Sequence, residues 1–254
     1  MTAEVEPIRI EEAGLNALQT TQQLFYDGWL LRVSPGKAKR ARSVNPHFGS
    51  SLPLDAKIDH CEHVYRERAL PVLFRMTPFA RPEALEGALE ARGYVAFDAT
   101  LVQIRSLADV PSAAPRADVV LASPPIAEFV ETVGEMRGST ARERAAHLER
   151  LSCTPLAMKA IVASIDGRAV AAGQAAVDGG LAGLYDMMTA TAWQGRGLAR
   201  SIVEALLAWA ARQRATHAFL QVNDDNVPAR ALYRRFGFTT AYAYHYRARP
   251  GECR

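Results

Sequence analysis

Cysteine is scarce in this chain of 254 residues: Cys61, Cys153 and Cys253 are odd in number and far apart, which argues against a disulfide framework and fits reduced thiols. Long hydrophobic runs are missing too. No stretch approaches the roughly 20 apolar residues that span a bilayer, and residues 1–12 alternate acids with single apolar residues instead of forming a secretory signal. A protein of the cytoplasm, with no membrane partner, is the expectation. The net charge is only +3, short of the basic bias that by itself points to nucleic acid. His60, Cys61 and His63 are close in sequence, yet no further His or Cys cluster completes a tetrahedral metal set. A helix surface without metal is expected there.

What is present is an ample apolar fraction, enough for one large domain or two small ones. A composition break at 108–118, rich in Ala, Pro and Ser, reads as a linker, with residues 1–108 before it, 109–118 forming it and 119–254 after it. Helical periodicity appears at about 125–137 and 140–151, with Ser139 or Thr140 as a cap ahead of Glu143. Strand-like runs follow at 158–164 and 169–177 around Asp166-Gly167, a hairpin signal, and at 181–189. The basic cluster Lys37, Lys39, Arg40 and Arg42 has two readings, a solvated hairpin tip or a docking surface for an acidic substrate or a cofactor phosphate.

Between the 181–189 run and a helical pattern carried by Leu198, Ile202, Leu206 and Ala210 lies Trp193-Gln194-Gly195-Arg196-Gly197-Leu198-Ala199-Arg200. Glycines at a helix N-terminus, where backbone N–H groups lack partners and the dipole is positive, suit a phosphate or pyrophosphate. A P-loop is excluded because no Lys followed by Ser or Thr closes the loop. A dinucleotide fold wants a small residue in place of Arg200 and many more strands than the remaining 54 residues allow.

The pattern Gln194, Gly197, Ala199 resembles the acetyl-CoA loop of the GNAT superfamily of N-acetyltransferases. A second segment strengthens the resemblance: Leu220-Gln221-Val222-Asn223, then Asn226, Ala229, Leu232, Tyr233 and Phe236-Gly237-Phe238, similar to the family's strand, Asn, short helix with a Tyr, and Gly-Phe turn. It covers residues 156–247. The first half carries a faint copy, with 72–76 corresponding to 219–223 and Arg92-Gly93-Tyr94 to Phe236-Gly237-Phe238, but with Leu89 where Tyr233 stands and no glycine loop. The resemblance implies a mixed α/β GNAT fold in tandem, each sheet mostly antiparallel, splayed and flanked by helices. The N-terminal half would be a degenerate copy and the C-terminal half would bind the cofactor.

For function, the resemblance implies acetyl transfer from acetyl-CoA to a primary amine, on a small molecule or peptide, by direct attack in a ternary complex. Backbone at Gln194, Gly195, Arg196, Gly197, Leu198, Ala199 and Arg200 would hold pyrophosphate. Met187, Met188 and Thr189 would meet the pantetheine arm, with a backbone N–H near Met188 as oxyanion donor, and Asn226 and Ala229 would complete the contacts. Tyr233 is expected to donate a hydrogen bond or proton to the leaving thiolate, a phenol of pKa about 10 serving a thiol of about 8.5. No Glu stands where a general base is expected; Gly183 does, leaving Asp186 or Tyr185 to relay the proton. The rival expectation is an acyl-CoA-binding or regulatory module without catalysis. The amine's identity and the oligomeric state are left open.

Overall fold

The computed structural model describes residues 5–110 and 116–253; half of the expected linker, 111–115, lies outside them. The chain runs α1 (Pro7–Asn16), β1 (Gln23–Tyr26), β2 (Trp29–Arg32), β3 (Val44–Asn45), α2 (Leu54–Arg66), β4 (Phe74–Met76), α3 (Leu85–Ala91) and the long β5 (Val95–Ser106). Then come β6 (Val120–Ala122), α4 (Ile126–Arg137), α5 (Ala141–Cys153), β7 (Ala157–Ile165), β8 (Arg168–Asp178), β9 (Leu181–Thr189), α6 (Leu198–Arg212), β10 (His217–Asn223), α7 (Val227–Arg235) and β11 (Thr239–Ala248). Local chemistry explains several boundaries. Thr140 and Glu143 form a reciprocal capping box at α5. Asp166 and Gly167, at φ 49° and 74°, close the β7–β8 turn.

These eleven strands form one mixed sheet in the order β1-β2-β3-β4-β11-β5-β10-β9-β8-β7-β6. Among the described strands only β3–β4 and β9–β10 pair in parallel. The mostly antiparallel character expected from the sequence is therefore present, but the two halves share their strands. β5 precedes the composition break, yet it pairs with β10 along 100–106. β11, the last strand, pairs with β4 from the first half as well as with β5. The repeat is visible in backbone geometry: Gly93 and Gly237 adopt φ 81° and 79°, and the N–H groups of Tyr94 and Phe238 donate to Leu89 and Tyr233 carbonyls at 3.0 and 3.1 Å.

Cores form on both faces. On one, α6 buries Leu198, Ile202, Val203, Leu206, Leu207 and Ala210 against β7, β8 and β9, the spacing of an amphipathic helix. On the other, α1 packs Ile10 and Ala13 over Tyr185, Phe219, Tyr242, Tyr244 and Tyr246. The tyrosines of β11 are thus buried packing residues. A register shift between Tyr244 and Tyr246 adjusts the alternation that the sequence suggests.

Helix α2 is only partly the surface expected of it. His63 is exposed, but Cys61 is fully buried and His60 stacks on Tyr26 with ring centroids 3.7 Å apart. No group of metal-ligating side chains occurs among the described residues, and no described helix is long and apolar enough to cross a membrane.

Candidate active site

Strands β9 and β10 pair in parallel from Leu181↔His217 to Leu184↔Leu220 and then part. Residues 185–189 and 221–223 therefore face a gap with unpaired backbone. Across the gap lies a cavity of about 560 Å³. β9 contributes Met187 and Thr189; the loop and α6 contribute Trp193, Gln194, Gly195, Gly197, Leu198, Ala199 and Arg200. The third wall is α7 with the residue that caps it: Asn226, Ala229, Leu232 and Tyr233. Eleven of the thirteen sequence-expected cofactor residues come together on this one cavity. The other two behave differently. Met188 packs its side chain toward α4 and α5, and the Arg196 guanidinium lies over the Trp193 ring, 4.6 Å from its centroid.

The loop's glycines have a backbone reason. Gly195 and Gly197 adopt φ 75° and 76°, where a side chain is strained. Gly197 is also the N-cap of α6 and offers no capping side chain. Hence the first N–H groups of a 15-residue helix open on the cavity with the positive end of its dipole. Arg200 donates Nε to Glu204 at 2.8 Å. Asn226 accepts from the Ala229 N–H at 3.2 Å, so it caps α7 while also lining the cavity.

Tyr233 is 6% exposed, and burial pushes its phenol up to about 12. It remains protonated across the physiological range, a hydrogen-bond donor. Its ring is fixed edge-on by Phe238 at 5.9 Å.

On the opposite face of β9 stands a second group. Gly173 of β8 alone opposes Asp186 and Met187, a β-bulge with Asp186 at φ 52°. The bulge turns Asp186 toward α5, where it is neither solvated nor free. It accepts from Arg137 Nη2 at 2.6 Å and Gln174 Nε2 at 2.6 Å, and it meets His147 Nε2 at 2.8 Å. Burial alone would raise its pKa, but the charge of Arg137 and the bonds from His147 and Arg137 hold the carboxyl well below the usual range. An ionised Asp186 can only accept, so His147 donates its Nε2–H to it and Nδ1 is the ring nitrogen left for another partner. His147, Arg137 and Gln174 were not found from the sequence. The legible signal was that His147 and Arg150 share helical spacing with buried Leu151, placing both polar residues on the inward face of α5.

Gly183 leaves no room for a base. A Cβ there would overlap the phenol of Tyr185, whose ring lies across the strand. Gly183→Ala is therefore expected to displace Tyr185 and destabilise the fold by about 1–3 kcal/mol, read as a lower melting temperature; an unchanged melt would refute the packing. Tyr185 itself is buried, its hydroxyl lacks a partner among the described residues, and burial raises its pKa. The basic cluster also departs from the solvated reading. Lys37 is exposed, but Lys39 pairs with Asp98 at 2.9 Å and Arg40 reaches Gln221 on β10.

With this geometry in place, the comparisons converge. Residues 2–247 match the family model described as "Probable histone acetyltransferase Rv0428c C-terminal". The uncharacterized N-acetyltransferase YobR of Bacillus subtilis is 26% identical over 223 residues, covering 86% of this chain and 89% of that protein. A GCN5-related N-acetyltransferase from Kribbella flavida superposes with a TM-score of 0.70 at 17% identity, over 98% of this chain and 97% of its own. A tandem GNAT protein from the clavulanic acid biosynthesis pathway gives 0.60 at 18%, over 76% and 68%. The chain belongs to the Rv0428c C-terminal acetyltransferase family, with the GNAT fold. It is an acyltransferase, an N-acetyltransferase of the GNAT type, and the module without catalysis is set aside.

Proposed function

We propose that this N-acetyltransferase moves acetyl from acetyl-CoA to a primary amine by direct attack in a ternary complex, in the cytoplasm. One observation carries the reading: the uncapped N-terminus of α6, the unpaired edge of β9 and the phenol-bearing face of α7 line a single cavity of about 560 Å³. Pyrophosphate would sit on the N–H groups of 195–199, as anions do at helix N-termini. The pantetheine arm would run along 187–189 like an added strand, with the Met188 N–H toward the thioester oxygen. Residues 119–254 supply these groups, and residues 1–108 cover the acceptor side of the gap.

In the transfer, the amine nitrogen bonds to the thioester carbon and the C–S bond breaks with its electron pair on sulfur. One amine proton passes to His147 Nδ1, directly or through water, and Tyr233 donates to the sulfur. Asp186 keeps His147 in the accepting tautomer, a positioning role in place of the direct relay expected from the sequence. A carboxyl held so far below the usual range is too weak a base to take an amine's proton near neutrality.

Tyr233→Phe tests the assignment. Its kcat is expected to fall about 100-fold with the Kd for acetyl-CoA within about threefold of native, because the lost hydroxyl acts on the departing sulfur. Native turnover by the variant would remove Tyr233 from the mechanism. Acetyl-CoA binding without thiol release on any amine would overturn the acetyl-transfer reading.

A further inference from the structure

The acceptor side of β9 is built from arginines that the protein does not neutralise. Arg150, on α5, is 5% exposed. Its Nη1 donates to the Ala146 carbonyl of its own helix at 3.1 Å, its Nε is buried without a partner, and it forms no ion pair among the described residues. Arg40, between β2 and β3, places its guanidinium 5.9 Å from the Tyr185 ring centroid, donates one Nη to Gln221, and has its Nε buried without a partner. It too lacks a carboxylate. Nearby, Arg75 is paired with Glu11 and Arg137 with Asp186, so both neighbouring carboxylates are already engaged.

Two more buried atoms at this place lack partners among the described residues: Gln174 Oε1 and Tyr185 Oη. Gln174 is 2% and Tyr185 7% exposed, and they face each other across β8 and β9. Native interiors satisfy nearly all such groups, and an unpaired buried guanidinium is costly. Burial lowers the Arg150 pKa and Asp186 offsets this in part, while the like charges of Arg137 and Arg40 lower it further. The two unpaired guanidiniums therefore feel each other. Gly36 matters to the space, since a Cβ there would come within 2.8 Å of Arg150 Nη1.

We infer that the acceptor is a small primary amine bearing a carboxylate or phosphate, which Arg40 and Arg150 hold beside Tyr185. The inference rests on the acetyl-transfer reading and adds the substrate class. Tyr185 and Met187, on the cofactor cavity, are separated on β9 by Asp186 alone, so amine and anion belong to one compact molecule. A polycationic polypeptide such as a histone tail would bring like charge to these guanidiniums.

Thiol release from acetyl-CoA is the measurement, on matched acceptors: an amino acid and its carboxamide, an aminoalkyl phosphate and its amino alcohol, and a lysine-rich peptide. An anionic member is expected to exceed its neutral partner in kcat/KM by about 10- to 100-fold, the worth of charged hydrogen bonds. Which pair shows the larger ratio tells carboxylate from phosphate. Arg40→Met and Arg150→Met should each bring that ratio to within about threefold of unity while acetyl-CoA affinity and melting temperature hold, and the ratio in the native protein decides the matter if either variant fails to fold. Equal or better use of neutral amines or the peptide overturns the inference and leaves acetyl transfer standing. No release with any amine, acetyl-CoA being bound, overturns both.

Discussion

Glu11→Ala is expected to destabilise the protein by about 3–5 kcal/mol, because it leaves the Arg75 guanidinium buried without its counter-charge. Both side chains are 1% exposed. Glu11 comes from α1, Arg75 from β4, and the Tyr242 hydroxyl of β11 donates to the same carboxylate at 2.6 Å. One carboxylate thus ties the first helix to strands from both parts of the chain. For a chain of this length the loss corresponds to a melting temperature lower by roughly 10 °C. Glu11→Leu combined with Arg75→Met should recover much of it, since no charge is then buried. A cost below about 1 kcal/mol for Glu11→Ala would show that the pair does not hold the joint.

The same cluster sets an acid limit. Burial would raise the Glu11 pKa, but the Arg75 charge and hydrogen bonds take it down from 4.5 to about 2. Burial lowers His47, 3.6 Å from Glu11, from 6.5 to about 4, against the pull of the carboxylate. In both cases the unfolded chain binds more protons, so stability rises with pH across each window. His47's contribution is present above 6.5 and is lost as pH falls toward 4. That of Glu11 is present above 4.5 and is lost toward 2, and it amounts to on the order of 3 kcal/mol. Denaturant midpoints measured from pH 7 to 3 should fall throughout, and Glu11→Gln should flatten the curve below 4.5. A midpoint independent of pH would contradict the assignment.

His147→Gln is expected to lower kcat by about 10²- to 10⁴-fold, the usual range for losing a general base, with acetyl-CoA affinity preserved because His147 lies across β9 from the cofactor cavity. Asp186→Asn separates positioning from structure. It keeps the shape but removes the charge that holds the proton on Nε2, so kcat should fall while the KM for acetyl-CoA stays near native. Substitution at Asp186 also loosens Arg137, so the melting temperature of each variant must accompany its kinetics. If His147→Gln turns over at the native rate, another group takes the proton, whatever Asp186→Asn does.

Much of the wall of the cavity beside α6 was legible because it is local. Gly195 and Gly197 announce positive φ, Leu198, Ile202 and Leu206 announce a helix beginning just after them, and Asn226 announces the cap of the next helix. These features depend on neighbours within one or two turns, where residue type and conformation are directly linked. Leu89 and Tyr233 occupy the same place before matching glycine turns, and that correspondence was also readable from spacing.

The acceptor side was not legible, for two physical reasons. Alternation along β9 would separate Tyr185 from Asp186 by face, but a bulge opposite Gly173 sets Asp186 among groups from α4, α5 and β8. Such a bulge depends on pairing with another strand. The charged residues of α5 and of 37–42 look solvated one by one, and Arg40 and Arg150 become interior only when the halves close around β9. The sequence by itself determined the helix and strand content, the glycine loop at the start of α6 and the place of Tyr233, because short-range backbone chemistry decides them. Tertiary structure alone decided the insertion of β5 between β10 and β11, the His147–Asp186 pair and the unpaired arginines, because each joins groups whose meeting follows from how distant segments share one sheet.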